Sequence, residues 1–349
     1  MLASSDAAAQ HGPRPLPLFL DLVRTETDGD PNRMAAVLAG LRAYQDAERE
    51  PRPPAMPVAA RTGRALLRDY GGSGPPAVFV PSLINPPFIL DLTEENSFLR
   101  WLRGQGVRPM LVEWGNPSAN DGTSNEDVFG HVGSYLLPLL EQLAEPVHLI
   151  GYCLGGTMAL AAAMEARLKS LTLIAAPWHF SGFGEPARAE IAELWGAARP
   201  SSEAMGLVPV EVLQSGFWRL DPSRTVGKYE AFGHMSRGSP GARSFVALED
   251  WANAGAPLTY AGGRELFEDF LGADVTGRGL WHGVDPGRIS IPTLEFVSLS
   301  DRIVPRASSA RLPGARSLGL GHVGMIVGSK AGEQLWKPLA AMLSRTQQS

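Results

Sequence analysis

Thiol chemistry is nearly absent from this chain. Cys153 is its one cysteine among 349 residues, which excludes an intrachain disulfide and a cysteine-based metal cluster. Blocks of one charge sign are missing too. With 31 Lys and Arg against 36 Asp and Glu, the net charge is −5 and no basic cluster stands out, so nucleic acid is not expected as a partner. Long apolar runs are also lacking. Stretches such as "LTLIAAPW" fall well short of the roughly 20 residues that span a bilayer, and no membrane span is expected. The start, "MLASSDAAAQHGPRPLP", has no charged segment leading into an apolar one, so no secretory signal is expected and a cytoplasmic location fits best. There are no internal repeats, and the Pro-rich "REPRPPAMP" at 49–57 is the single biased tract.

What is present is ample core-forming material: 44% apolar and 19% charged residues, enough for one large domain or two ordinary ones. Residues 1–56 read as a loose tail and a helical arm, clearest at "MAAVLAGLRAYQDA". Residues 57–349 read as a catalytic domain. In it, the strand-like "GRALLRDYG", "PAVFVPS", "RPMLVEWG", "VHLIGY" and "LTLIAAP" alternate with the helical "SFLRWLRGQG", "DVFGHVGSYLLPLLEQLA" and "TMALAAAMEAR". Such alternation predicts a mostly parallel sheet covered on both faces. It stops at about 178–290, a mostly helical stretch rich in tryptophan, including Trp178, Trp195, Trp218, Trp251 and Trp281. It resumes with "PTLEFVSLSDRIVP" and "ARSLGLGHVGM" and closes on the helix "AGEQLWKPLAAMLSR". The expected architecture is an α/β-hydrolase fold with a helical cap inserted at 178–290.

Cys153 stands in the frame Gly151-Tyr152-Cys153-Leu154-Gly155, between an apolar strand and an Ala-rich helix. That is the setting of a nucleophile elbow, in which the turn is so tight that the flanking positions must be small. Gly156 would let the helix pack closely on the sheet. A thiol there would sit at the helix N-terminus, which favours the thiolate. The plain alternative is a buried structural cysteine. The fold places the acid and then the histidine later in the chain. Asp301 follows the strand-like "TLEFVSLS", and His322 alone of the seven histidines follows the last strand-like run. Asp274 and Asp285 fit less well because neither directly follows such a run. His148 reads as a packed strand residue, and His179 and His282 as cap-side residues. In these roles His322 takes the thiol proton, Asp301 fixes its tautomer, and an oxyanion is held by the backbone N–H of Leu154 and that of Leu83 or Ile84.

The sulfur narrows the reaction. Exchange between a thioester donor and a cysteine thiol is nearly even, and the acyl group stays activated for an alcohol. The residues therefore point to acyl transfer from a thioester such as acyl-CoA, while a hydrolase with the same three residues, a polyester depolymerase or a thioesterase, differs only in using water as acceptor. A non-enzymatic scaffold on a hydrolase fold would not need the Cys, Asp and His in this order.

The segments "PSLINPPFILDL", "LVEWGNP", "GYCLGG", "DRIVP" and "GHVGMIVGSKA" are similar to those of the polyhydroxyalkanoate synthases, from about residue 60 to the end. Total length and the cap segment "GKYEAF" onward resemble the small catalytic subunit of the two-subunit synthases. The resemblance implies polymerisation of (R)-3-hydroxyacyl-CoA through an acyl-cysteine, with Cys153 as nucleophile, Asp301 as acid and His322 as base. It implies coenzyme A thioesters as substrates, with no resident cofactor or metal. It further implies a homodimer formed through the cap, a second non-catalytic subunit, and association with a polyester granule. Three places depart from the family pattern. Arg302 stands where a histidine usually follows the acid, "AAPWHFSGFG" replaces a Thr-containing segment while keeping Phe180, and the loop around Asn120–Asp127 is atypical.

Overall fold

The computed structural model of the chain describes residues 11–118 and 125–345. The first part of the expected tail and most of the atypical loop after Asn120 lie outside the described residues. Two helices come first, α1 (Leu16–Glu26) and α2 (Pro31–Gln45). Asp30 caps α2 by accepting from the Arg33 N–H at 2.9 Å, and Pro31 fits the first turn, where no N–H is needed.

The catalytic layer begins at β1 (Val58–Thr62), one strand earlier than the sequence pattern suggested. "VAART" carries too little apolar alternation to be read as a strand; pairing with β2 (Ala65–Asp69) across a tight turn makes it one. There follow β3 (Pro76–Val80), α3 (Phe98–Gly104), β4 (Arg108–Glu113), α4 (Val128–His131), α5 (Leu137–Glu141), β5 (Val147–Tyr152), α6 (Leu154–Ala162) and β6 (Leu168–Ile174). The chain then leaves the sheet for α7 (Glu185–Met205), β7 (Leu207–Val208), α8 (Val210–Leu220), α9 (Pro222–Gly233), α10 (Pro240–Asn253), β8 (Leu258–Thr259) and α11 (Tyr260–Arg264). It returns with β9 (Thr293–Ser298) and β10 (Arg316–Leu318), and ends with α12 (Gly324–Val327) and α13 (Lys337–Arg345).

The eight-stranded sheet has the order β1-β2-β4-β3-β5-β6-β9-β10. β1, β2 and β4 pair antiparallel at one edge, and every other neighbour is parallel. This is an α/β-hydrolase fold. Both faces are covered, so the central strands are apolar throughout, and alternate residues go to opposite cores. Val78 and Val80 of β3 join the face packed by α5 and α6, while Ala77 and Phe79 join the face packed by α3 and α13. The cap is not a separate globule. Trp195, Val208, Leu213 and Leu266 of the cap share one buried cluster with Leu149, Met158 and Leu173 of the catalytic layer.

The arm joins the cap rather than the sheet. Phe19, Val23, Val37, Leu41 and Tyr44 form a third cluster with Val226, Tyr229 and Phe232 of α9 and Ala242 and Val246 of α10. Among the described residues, no helix is long and apolar enough to cross a membrane.

Candidate active site

β5 delivers Cys153 at the C-terminal edge of the sheet, between two parallel neighbours. The residue has φ 56° and ψ −134°, a conformation that costs a non-glycine residue about 1–3 kcal/mol and concentrates at functional sites. Neighbouring contacts hold it there: the Cys153 N–H donates to the Ile174 carbonyl at 3.0 Å, and the Gly156 N–H donates to the Cys153 carbonyl at 2.8 Å. The glycines of the frame are sterically required. A Cβ on Gly151 would lie 2.4 Å from Gly156 Cα, one on Gly155 would lie 2.1 Å from the Val80 carbonyl oxygen, and one on Gly156 would lie 2.2 Å from Ala176 Cβ.

His322 follows β10 and Asp301 follows β9, and the structure brings both to Cys153. His322 Nδ1 lies 2.6 Å from Asp301 Oδ2. The other carboxylate oxygen accepts from the Ile303 N–H at 2.7 Å and the Val304 N–H at 2.9 Å, which fixes the carboxylate. With Nδ1 held by Asp301, Nε2 is the nitrogen left to face Cys153, whose sulfur raises the pKa of the same ring. Both Asp301 and His322 are buried. Burial opposes charge on the imidazole, but the Asp301 carboxylate and the Cys153 sulfur outweigh it and raise the His322 pKa from 6.5 to about 10. Under the ring lies Tyr152, stacked at 5.1 Å and kept neutral because burial raises its pKa well above 10.

The rival carboxylates serve elsewhere. Asp274 accepts from the Phe180 N–H at 2.7 Å, and Asp285 accepts from the Gly287 N–H at 2.8 Å. His148 is packed within β5 against Ser170 Oγ at 2.7 Å, and His282 stacks on Phe129 at 4.0 Å. Of the two amides considered beside Leu154, that of Ile84 donates to Ser82 Oγ at 3.1 Å. Leu154 opens α6, so its N–H lacks an intrahelical partner.

No protein-family profile matches the chain. It is 27% identical over 288 residues to the poly(3-hydroxyalkanoate) polymerase subunit PhaC of Haloferax mediterranei, covering 75% of this chain and 57% of that one. It is 26% identical over 298 residues to the poly(3-hydroxyalkanoate) polymerase subunit PhaC of Synechocystis sp., covering 78% of each. This chain resembles the poly(3-hydroxyalkanoate) polymerase subunits. The match spans less than two thirds of the haloarchaeal relatives' length, 57% and 60%. Among solved structures, MenH from S. aureus aligns with a TM-score of 0.50 at 15% identity, over 80% of this chain and 98% of that one, a likeness of fold.

Two cavities meet at Cys153. One is a cleft of about 310 Å³ that also touches Asp301, His322 and Tyr152 and is roofed by α8, α9 and α10. Its cap side carries Arg224, Lys228 and Arg302. Arg302, the departure from the polymerase pattern, reaches Asp221 of the cap at 3.4 Å with its side chain 70% exposed. The second is an apolar pocket of about 80 Å³, lined by Ile84, Leu154, Phe180, Leu213, Phe217 and Phe267 among others. Sequence reasoning singled out Arg302 but not Tyr152, Gln214, Arg224 or Lys228. Tyr152 was in view inside the quoted frame, but stacking on a histidine 170 positions later leaves no local signal.

One group outside the cleft has metal-ligand composition: Asp127, Glu265 and His282 place ligand atoms within 4.8 Å of one another. Two of the three already accept hydrogen bonds from the chain. Glu265 accepts from the Val128 and Phe129 amides and from Trp281 Nε1 at 2.6 Å, and Asp127 accepts from the Gly130 N–H at 2.6 Å.

Proposed function

We propose that the chain is an acyltransferase that polymerises (R)-3-hydroxyacyl-CoA into polyhydroxyalkanoate, carrying the acyl group on Cys153. The observation that carries this reading is a thiol, in place of a hydroxyl, at the strained end of β5 and within reach of a His322–Asp301 pair, inside a cap-covered cleft. The names of the similar proteins point the same way.

In the first half-reaction His322 holds the Cys153 proton and the thiolate attacks the thioester carbonyl carbon. A new C–S bond forms, and the carbonyl electrons move onto oxygen, met by the Leu154 N–H and that of Leu83, since the Ile84 amide already donates to Ser82. Collapse breaks the bond to coenzyme A, whose sulfur leaves with the proton from His322. In the second half-reaction the neutral imidazole takes the proton of a hydroxyacyl 3-hydroxyl. That oxygen attacks the acyl-cysteine, an oxygen ester forms, and the Cys153 thiolate departs to re-pair with the imidazolium. Asp301 holds the ring orientation throughout and stabilises its charge. The cap contributes by limiting water at the acyl-cysteine. No metal or resident cofactor takes part in this scheme. A homodimer, a second synthase subunit, a polyester granule and a cytoplasmic location belong to the same proposal.

The test is to incubate the purified chain with (R)-3-hydroxybutyryl-CoA and follow CoA release together with polymer. Polymer appearing in step with CoA is the expected result. Free 3-hydroxybutyrate as the sole product would make water the acceptor and contradict the proposal.

A further inference from the structure

We propose that Gln214 reads the 3-hydroxyl of the acyl group and so separates hydroxyacyl from plain acyl thioesters. This rests on the acyl-transfer reading and adds a contact that reading does not specify. Gln214 sits on α8, is 3% exposed, and lines the same cleft as Cys153, Asp301 and His322. Its amide is oriented, because Nε2 donates to the Ala252 carbonyl at 2.9 Å; the reversed amide would set two carbonyl oxygens against each other. Oε1 is therefore an acceptor, and among the described residues it is buried with no hydrogen-bond partner. Buried acceptors without donors are costly and rare in native proteins, and one on a residue that lines a ligand cleft calls for a donor on the ligand.

Its position on α8 says which donor. Leu213, Gly216, Phe217 and Leu220 lie at helical spacing and line the apolar pocket that opens at Cys153, the side on which an acyl chain fits. Gln214 is one residue along from Leu213 and lines the cleft, while Phe217 lines both cleft and pocket. The basic residues of the cleft lie on α9 and after β9 instead. On the acyl side of its sulfur, a coenzyme A thioester offers an acceptor at its carbonyl and no donor unless the acyl group carries a hydroxyl; its amide N–H donors lie on the coenzyme side. The 3-hydroxyl is thus the donor that Oε1 can pair with on this side.

The experiment is single-turnover acylation of Cys153, read as CoA release and by the mass of the protein. It compares (R)-3-hydroxybutyryl-CoA with butyryl-CoA in the native chain and in Gln214→Leu. The native chain is expected to favour the hydroxylated thioester by roughly 10-fold, the worth of one neutral hydrogen bond. Gln214→Leu is expected to bring that ratio close to one by slowing the hydroxylated thioester more than the plain one. If Gln214→Leu does not fold, Gln214→Met, which keeps the length of the side chain, gives the same comparison. Equal rates for the two thioesters in the native chain overturn the proposal, as does a substitution that slows both alike. Failure of both thioesters to acylate Cys153 is a different result, which removes the acyl-transfer reading and this proposal with it.

Discussion

His322 is buried and yet held in its charged form, and one carboxylate does most of that work. Its pKa is raised to about 10, so the imidazolium paired with the Cys153 sulfur persists until the pH rises through that value. The same sign governs stability: this contribution is whole below about 6.5 and is lost as pH climbs toward about 10. Asp301→Asn removes the larger of the two raising influences. CoA release is expected to fall by roughly 100-fold or more, with its alkaline limb displaced toward lower pH; a limb left in place would contradict the assignment of Asp301. Residues of this kind were legible in the sequence because each stands just past a strand, where the fold displays side chains. Gln214 and Tyr152 were not. Gln214 matters through the docking of a cap helix over the cleft, and Tyr152 through a ring brought to it from 170 positions away.

At the scale of elements, the elbow between β5 and α6 is closed by contacts with no room for a methyl group. Gly155→Ala would set a carbon 2.1 Å from the Val80 carbonyl oxygen, which is backbone and cannot step aside. A loss of roughly 1–3 kcal/mol or more is expected in urea unfolding, together with loss of CoA release; a native midpoint would contradict the tight turn. A second junction ties α4 to the cap through Glu265. Burial pushes its pKa from 4.5 to about 7, although Trp281 and the Val128 and Phe129 amides favour the charged form. Since the folded pKa is the higher one, this group's contribution is whole below about 4.5 and falls away as pH rises to about 7. Glu265→Gln should therefore flatten the pH dependence of Tm across that interval, and an unchanged slope would contradict it. Strands β3 to β6 and β9 were legible because buried parallel strands are continuous apolar runs. The helix expected over 157–167 is instead Leu154–Ala162, three residues earlier, because the elbow itself starts it at Cys153. β1 and the two-residue ribbon β7–β8 are made by their partners and carry little local pattern.

On the scale of the whole molecule, the N-terminal arm is strapped to the cap. Tyr44 Oη meets Asp250 Oδ1 at 2.6 Å, Arg33 meets Glu230 at 3.2 Å, and α2 approaches α9 so closely that a Cβ on Gly40 would lie 1.8 Å from the Tyr229 carbonyl oxygen. Gly40→Val should loosen this contact, lower Tm and speed proteolytic cleavage in the segment at 49–57; cleavage at the native rate would contradict the strap. Because α9 also roofs the cleft, the arm, the cap and the Cys153 cleft form one mechanical unit. The account stands or falls on what Cys153 carries. The most direct measurement is to quench the chain with acid shortly after adding (R)-3-hydroxybutyryl-CoA and to find, by peptide mass spectrometry, where the acyl group is. The account predicts hydroxybutyryl units on the peptide holding Cys153, and neither adduct nor CoA release in Cys153→Ala. CoA released while Cys153 stays unmodified, or released by Cys153→Ala, would contradict it.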